Sequence, residues 1–153
     1  MLRAVLYVSR SELFPATADE DVSLIIQASV QRNDAAGISG ALVFTGTHFA
    51  QFAEGPADEV AKLLEQLHCD SRHSHMNIVL DEESETRRFS RWAMAYSGPA
   101  VLLAQQLEPL TNGGGRTACT AAATDLIAMM QAFTNVSPPR SSISPRHFSG
   151  FSE

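Results

Sequence analysis

The chain of 153 residues is 44% hydrophobic and 18% charged, and its formal net charge is −6 at pH 7. That length suits one domain with a well-filled core, and no apolar run approaches the roughly 18 residues that a membrane-spanning helix requires. The acidic balance disfavours nucleic-acid binding, and the early polar residues leave no room for a signal peptide, so we expect a cytoplasmic protein.

The N-terminal third predicts a strand followed by a helix. Leu2 to Ser9 is rich in Val, Leu and Tyr, as buried strands are. Thr17 and Glu20 have the spacing of a capping box, which predicts a helix from there to about Asn33. One stripe of this helix carries Ile25, Ser29, Arg32 and Asn33.

The next segments predict a hairpin, a second helix and two more strands. Residues 38–45 and 48–54 are strand-like and joined around Gly46-Thr47, a hairpin signal. A clean apolar stripe predicts a helix from near Pro56 to near Cys69. The further strands are Met76–Leu80 and Trp92–Ser97. The order β-α-β-β-α-β-β predicts an α+β, ferredoxin-like sheet with two helices on one face.

Beyond Gly98-Pro99 the pattern becomes helical. Leu102–Leu110 and Ala118–Phe133 predict two helices, and residues 137–153, rich in Ser, Pro and Arg, predict a mobile tail. We therefore divide the chain into a domain over 1–98, a C-terminal helical extension over 99–136 and the tail. The second helix should dock on the sheet face that the early helices leave open, through Leu126, Ile127, Met129, Met130 and Phe133.

Motifs of common catalysts are missing from the sequence. There is no Walker loop, Gly-x-Ser-x-Gly elbow or nicotinamide fingerprint. The thiol, carboxylate and imidazoles between Cys69 and His75 have no standard zinc spacing, so we expect no metal site. The two cysteines, Cys69 and Cys119, are expected to stay free in a reducing compartment.

Several polar and aromatic side chains converge in this scheme. Tyr7 lies within an apolar strand, where its hydroxyl needs a partner, and Gln51 shares a strand face with Phe49. Asn33 ends the inward stripe of the first helix. Each residue alone has an ordinary interpretation as a core or edge side chain. Together they predict an aromatic-rich pocket with amide groups, suited to a flat heteroaromatic ligand.

Five blocks of sequence stand in the order and spacing of a known family. They are AVLYVS at 4–9, QRNDAAGISGAL at 31–42, FAQFAEGP at 49–56, DSRH at 70–73 and RFSRWAM at 88–94. Over residues 2 to 97 the chain strongly resembles the BLUF domain, the sensors of blue light using FAD. The resemblance implies non-covalently bound FAD as the cofactor.

The resemblance also implies roles for individual residues. Tyr7 matches the redox-active tyrosine, and Gln51 matches the glutamine that bridges it to the flavin. Asn33 matches the asparagine that bonds the flavin's carbonyl edge, while Trp92 and Met94 match the strand that relays the signal. The other implied cofactor-binding positions are Ile25, Arg32, Phe49, Asp70, Arg72 and His73.

This chain departs from the family pattern at three positions that bear on the cofactor. Arg32 stands where members often carry Asn or His, and we expect it to contact the phosphates of FAD as a fork donor. Ala50 and Ala53 stand where leucine-like residues are common, which predicts a looser pocket that Phe52 between them partly refills.

The resulting hypothesis is a blue-light photoreceptor without enzymatic activity. The resemblance implies that Tyr7 donates an electron, with its proton passing through Gln51, and that Gln51 ends rotated or in another tautomer. The signal would leave through protein contacts, in a homodimer or larger homo-oligomer and toward an unidentified signalling protein. The alternatives are a flavin-binding enzyme or electron carrier, and a light-insensitive or flavin-free interaction module of the same fold.

Overall fold

The computed structural model describes residues 1–89, 100–111 and 116–136, apart from some side chains in the last two helices. Its elements in chain order are β1 (Leu2–Ser11), α1 (Ala18–Ala35), β2 (Ser39–Phe44), β3 (His48–Pro56), α2 (Ala57–His68), β4 (His73–Ser84), α3 (Ala100–Thr111) and α4 (Arg116–Val136). The predicted strand Trp92–Ser97, with Trp92 and Met94, and the predicted tail 137–153 lie outside the described residues.

The four strands form one antiparallel sheet in the order β2-β3-β1-β4. This arrangement confirms the predicted α+β fold class. The tight turn at 45–47 joins β2 to β3 as predicted, with the backbone N–H of Thr45 donating to the carbonyl of His48. β4 extends well beyond the predicted Met76–Leu80, because it pairs with β1 along almost its whole length.

Alternation along the strands gives the sheet two different faces. One face packs against α1 and α2 through two apolar clusters, in agreement with the predicted placement of both helices. Its buried strand residues are Val5, Tyr7, Ser9, Leu42, Phe44, Phe49, Gln51 and Ala53. This face therefore carries both members of the predicted Tyr7–Gln51 pair.

The opposite face packs against the helical extension. Leu126, Ile127 and Met130 are buried in one cluster with residues of β1, β2 and β3, and Met129 and residues of β4 pack against that cluster. The docking of α4 on the face away from α1 and α2 is thus confirmed for these residues; the side chain of Phe133 lies outside the described set. Among the described residues, no helix has the length and apolar character needed to cross a membrane.

The predicted capping box at the start of α1 is wrong in its side-chain contacts. The helix does begin directly after Thr17, but that residue makes no side-chain cap hydrogen bond. Its hydroxyl donates instead to the carboxylate of Asp21, at 3.1 Å. The hydroxyl is turned toward this carboxylate, as a donor, and does not accept from the backbone N–H of Glu20 as the spacing had predicted.

Candidate functional site

A cleft that is open to solvent lies between α1, the end of α2 and the sheet. β1 and β3 supply its floor, because Tyr7 pairs in register with Gln51. The lining side chains are Tyr7, Ile25, Ser29, Arg32, Leu42, Phe49, Gln51, Leu67, Asp70, Arg72 and His73.

Tyr7 and Gln51 form the central polar contact of the cleft. The Tyr7 hydroxyl donates to Gln51 Oε1 at 2.5 Å, and both side chains are buried. Burial raises the pKa of the Tyr7 phenol, the negative charge of Asp70 raises it further, and the positive charge of Arg32 opposes both. The phenol is therefore protonated at neutral pH and committed as a donor to the amide oxygen.

Asn33 is the most unusual polar residue near the cleft. It lies one turn after Ser29 on α1 and is fully buried, yet neither atom of its side-chain amide has a hydrogen-bond partner among the described residues. The backbone holds this position firmly: its carbonyl accepts from Ile38 N at 2.8 Å, and Gly37, at φ +72°, ends the helix. Buried amides in proteins are nearly always bonded, so an unbonded one is an unusual feature of this helix.

The wall formed by α2 and β4 is held by His73. One ring nitrogen, Nδ1, lies 2.7 Å from Ser9 Oγ, and the other, Nε2, lies 2.6 Å from the carbonyl oxygen of Leu67. The ring also lies 6.0 Å from the Tyr7 ring and 6.4 Å from the Phe49 ring, measured between centroids. His73 therefore ties the end of α2 to β1 and lies among the aromatic side chains of the cleft.

The charges on the rim of the cleft are unequally paired. Asp70 accepts from Arg72 through the backbone N–H and the guanidinium, with Nη2 2.6 Å from Oδ2. This pairing lowers the pKa of the Asp70 carboxyl and raises that of Arg72. Arg32 has no ion pair among the described residues. The rim thus presents one unmatched positive charge, which favours an anionic group.

The structure brings nearly all of the predicted site residues together. Ile25, Arg32, Phe49, Asp70, Arg72 and His73 line the cleft with Tyr7 and Gln51, whereas Asn33 is buried and is not among the lining residues. Ser29, Leu42 and Leu67 were missed as lining residues. The stripe of α1, the hairpin register that places Leu42 opposite Gln51, and the apolar stripe of α2 were the signals that could have identified them.

The prediction that two alanines loosen the pocket is wrong. Ala53 packs with Val5 against α2, whereas Ala50 lies on the opposite face in the cluster that α4 covers. Neither side chain lines the cleft. Phe52 also lies on the α4 face, so it refills no pocket volume. Residues 50 and 53 are three apart, and an odd spacing in a strand places side chains on opposite faces.

Comparison with known proteins gives a consistent family assignment. The family model for BLUF, described as sensors of blue-light using FAD, matches residues 2–95. The blue light- and temperature-regulated antirepressor BluF of Escherichia coli (strain K12) is 28% identical over 94 residues, which are 61% of this chain and 23% of that protein. The chain therefore spans about a quarter of the length of that relative.

Solved structures share the fold. BlrB, a BLUF protein in its dark state, is 32% identical, with a TM-score of 0.63 over 80% of this chain and 96% of its own. The photo-activated state of BlsA is similar in fold, at 21% identity and a TM-score of 0.70, over 86% of this chain and 95% of its own. BlrP1 of Klebsiella pneumoniae, with FMN and cyclic diGMP, is 26% identical over 63% of this chain and 26% of its own, with a TM-score of 0.57.

Proposed function

Because this chain belongs to the BLUF family, the sensors of blue light using FAD, we propose that it binds FAD in the α1–α2 cleft and responds to blue light through Tyr7 and Gln51. The observation that carries the proposal is the 2.5 Å hydrogen bond from the Tyr7 hydroxyl to Gln51 Oε1, buried on the cleft floor. A phenol and a carboxamide so joined can exchange a proton without any large movement.

The residues around the cleft fit a flavin. The pyrimidine edge of an isoalloxazine ring carries alternating carbonyl and N–H groups, and a carboxamide can both donate to and accept from such an edge. Asn33 has a buried amide with both functions unused among the described residues. Ile25 and Phe49 offer apolar surface for a flat ring. We therefore assign Asn33 to the polar edge of the flavin, and Ile25 and Phe49 to its faces.

The rim charges fit the rest of the cofactor. FAD carries two phosphates, and Arg32 is the lining cation without an ion pair among the described residues. We assign Arg32 to the phosphates, since a guanidinium can bind them through two parallel hydrogen bonds. Asp70, Arg72 and His73 are held by contacts with one another and with neighbouring backbone. Their role is to shape the wall beside the ribityl chain.

FAD, when bound, supplies the absorption of blue light and an excited state that accepts an electron. In the proposed response Tyr7 would be the electron donor to the bound flavin, and its proton would move along the hydrogen bond to Gln51 Oε1. Both would then return, so that no net oxidation would remain. The carboxamide of Gln51 ends rotated or in another tautomer, and it then presents a different donor–acceptor pattern to Tyr7 and to the flavin. The changed hydrogen-bond pattern is the signal.

The output of the proposed sensor is carried by protein contacts and not by catalysis. We propose that residues 1–98 form the sensing domain, in a cytoplasmic protein, and that 99–136 form the extension that receives the signal. α3 and α4 cover the sheet face opposite to the cleft, which places them to respond to a change in the sheet. The partner is a second copy of the chain or a separate signalling protein.

The proposal is tested by the visible spectrum of FAD-loaded protein in darkness and under blue light. Wild-type protein should show a small, reversible red shift. Tyr7→Phe should retain FAD, since the ring still packs, but lose the shift, since the phenol proton is gone. Tyr96→Phe, the same change at the chain's other tyrosine, is the matched control and should shift normally. A full shift in Tyr7→Phe would remove Tyr7 from the mechanism, and failure to bind FAD would exclude the photoreceptor.

A further inference from the structure

Three consecutive residues that follow β4, Arg87 to Phe89, contact elements on both sides of the sheet. We name these residues the Arg87–Phe89 bridge. They lie outside the cleft, and the proposed photochemistry makes no use of them. Their contacts run to the end of α1, to β2, β3 and β4, and to α4. Such convergence on one short segment suggests a role in joining the two faces.

A buried carboxylate seats this bridge. Glu54 is fully buried on the α4 face of β3, and its Oε1 accepts the backbone N–H of Phe89 at 2.7 Å. Oε2 has no hydrogen-bond partner among the described residues. The Phe89 ring packs on Phe52, with 5.2 Å between centroids. A buried acid is costly for a fold to keep, and its contacts fix the bridge: the Phe89 N–H donates to its carboxylate, and Arg87 Nη1 donates to its backbone carbonyl at 3.3 Å.

Arg87 joins the bridge to the end of α1. Its Nη2 donates to the carbonyl of Gly37 at 2.8 Å, and its Nη1 donates to Ser39 Oγ at 2.8 Å. Gly37 belongs to the turn that follows Asn33, whose carbonyl accepts from Ile38 N. A change at the Asn33 end of α1 therefore reaches the Arg87 guanidinium through one turn of backbone.

Arg88 joins the bridge to α4. Its carbonyl accepts from Gln131 Nε2 at 3.3 Å, and Gln131 lies in the last third of that helix. The Arg88 guanidinium bonds to Glu82 on β4 and lies over the Phe52 ring, 5.4 Å from its centroid. The route from α1 to α4 therefore begins with the hydrogen bond from Arg87 to the carbonyl of Gly37. It continues along the backbone from Arg87 to Arg88 and ends with the hydrogen bond from Gln131 to the carbonyl of Arg88.

We propose that the Arg87–Phe89 bridge, seated on Glu54, transmits changes at the Asn33 end of α1 to helix α4. Glu54 and Arg87 are positioning residues for the output, and neither binds the flavin. This inference rests on the proposed function, because flavin binding and light supply the change to be transmitted. It assigns a role to the one fully buried acid among the described residues.

Hydrogen exchange of the FAD-loaded full chain tests the proposal. Exchange over 116–136 is compared in darkness and under blue light, and the flavin difference spectrum is recorded on the same samples. Wild-type α4 should change its exchange on illumination. Arg87→Met and Glu54→Leu should keep the flavin shift but reduce the change in α4 about fivefold or more, the lower end of typical coupling factors. Glu54→Gln keeps an acceptor for Phe89 N and should retain most of the response.

Two controls separate transmission from a general loss of stability. Arg3→Met removes a bidentate pair with Asp81 on the same sheet, and Val60→Ala weakens the core beneath α2. Both should keep the α4 response. If Glu54→Leu fails to fold, Arg87→Met still decides, because Arg87 is exposed. If Glu54→Gln also loses the α4 response, the negative charge of Glu54 is what holds the bridge in place. That result would still support the proposal.

Three outcomes overturn this proposal alone, and each is distinguishable from failure of the photoreceptor. Transmission through the bridge would be excluded if the wild type showed a normal flavin shift without any change in α4 exchange. It would also be excluded if Arg87→Met and Glu54→Leu both kept the full α4 response, or if Val60→Ala lost as much of that response as they do. If the wild type shows no light shift, FAD is added to the apoprotein in darkness as the stimulus in place of light. The protection of α4 from hydrogen exchange is then compared among the same variants. A protein that binds no FAD overturns both proposals.

Discussion

At the scale of single residues, the two side chains best suited to bind a ligand are those whose polar groups lack partners within the described part of the chain. Asn33 buries an amide without a partner among the described residues, and Arg32 lines the rim without an acid beside it there. Tyr7, Gln51 and His73, by contrast, already have partners within the chain. The first pair should therefore govern cofactor affinity, and the Tyr7–Gln51 pair should govern the response to light.

Replacement of Asn33 should have opposite effects on the apoprotein and on FAD binding. Asn33→Leu has nearly the same volume and removes an unbonded buried amide, whose cost is about 1–3 kcal/mol. Flavin-free Asn33→Leu should thus be more stable than wild type in urea unfolding, while its affinity for FAD should be lower. A purely structural asparagine would give lower stability and unchanged affinity, which would contradict the assignment to the flavin edge.

Arg32→Gln should alter the choice among flavins. Because the arginine is exposed, its attraction for phosphate should resemble that of a surface ion pair, which corresponds to about 1.4- to fivefold in affinity. Titration of apoprotein with FAD and riboflavin should show weaker FAD binding, a smaller salt dependence and unchanged riboflavin binding. Arg10→Gln changes an arginine that lines no part of this cleft and serves as the control. If Arg32→Gln weakened riboflavin binding as much as FAD binding, Arg32 would not contact the phosphates of FAD.

At the scale of elements, the sheet separates two kinds of packing. α1 buries only Ala18, Val22, Ser29 and Asn33, so we expect a ligand in the cleft to add contacts between this helix and the sheet. α4 buries a continuous apolar set against the other face. Flavin binding should consequently stabilise the α1 side most, while the core under α4 supports the fold with or without a cofactor.

The core under α4 can be tested with one substitution. Leu126 is fully buried, and Leu126→Ala should reduce the free energy of unfolding by about 2–5 kcal/mol, as large-to-small core changes do. Leu24 is 62% exposed on α1, so Leu24→Ala should cost no more than about 0.5 kcal/mol. Both variants should keep the flavin light shift. Chemical denaturation measures the difference, and equal stability of the two would mean that α4 is not docked in solution.

At the scale of the whole molecule, a sensor that signals through contacts needs a partner surface. Large apolar side chains exposed among the described residues include Phe14, Leu24 and Val30, on or just before α1. We predict a homodimer or larger assembly whose mass or subunit exchange changes with light. Light scattering of FAD-loaded protein in darkness and under blue illumination measures both. A monomer in both conditions would direct the search to a different protein as the partner.

The candidate site was partly predictable because the face that a side chain occupies on a strand or helix follows from the periodicity of the sequence. The pairing of Tyr7 with Gln51 follows from which strand face each occupies, and the stripe of α1 places Ile25 and Arg32 toward the sheet. The positions of Leu42 and Leu67 depend on the register of the hairpin and on where α2 ends. The predicted capping contact of Thr17 was wrong because its hydroxyl donates to the Asp21 carboxylate instead of accepting from a backbone N–H, and sequence spacing does not rank the partners within one helical turn.

The sequence by itself determined the order of strands and helices through residue 84, the α+β class and the family, since these depend on local periodicity and on blocks of neighbouring residues. Only the tertiary structure decided that Ala50 and Ala53 lie on opposite faces, that the side-chain amide of Asn33 is buried without a partner among the described residues, and that Arg87 reaches Gly37. Those facts depend on register, burial and contacts between residues distant along the chain, for which a linear pattern carries no constraint.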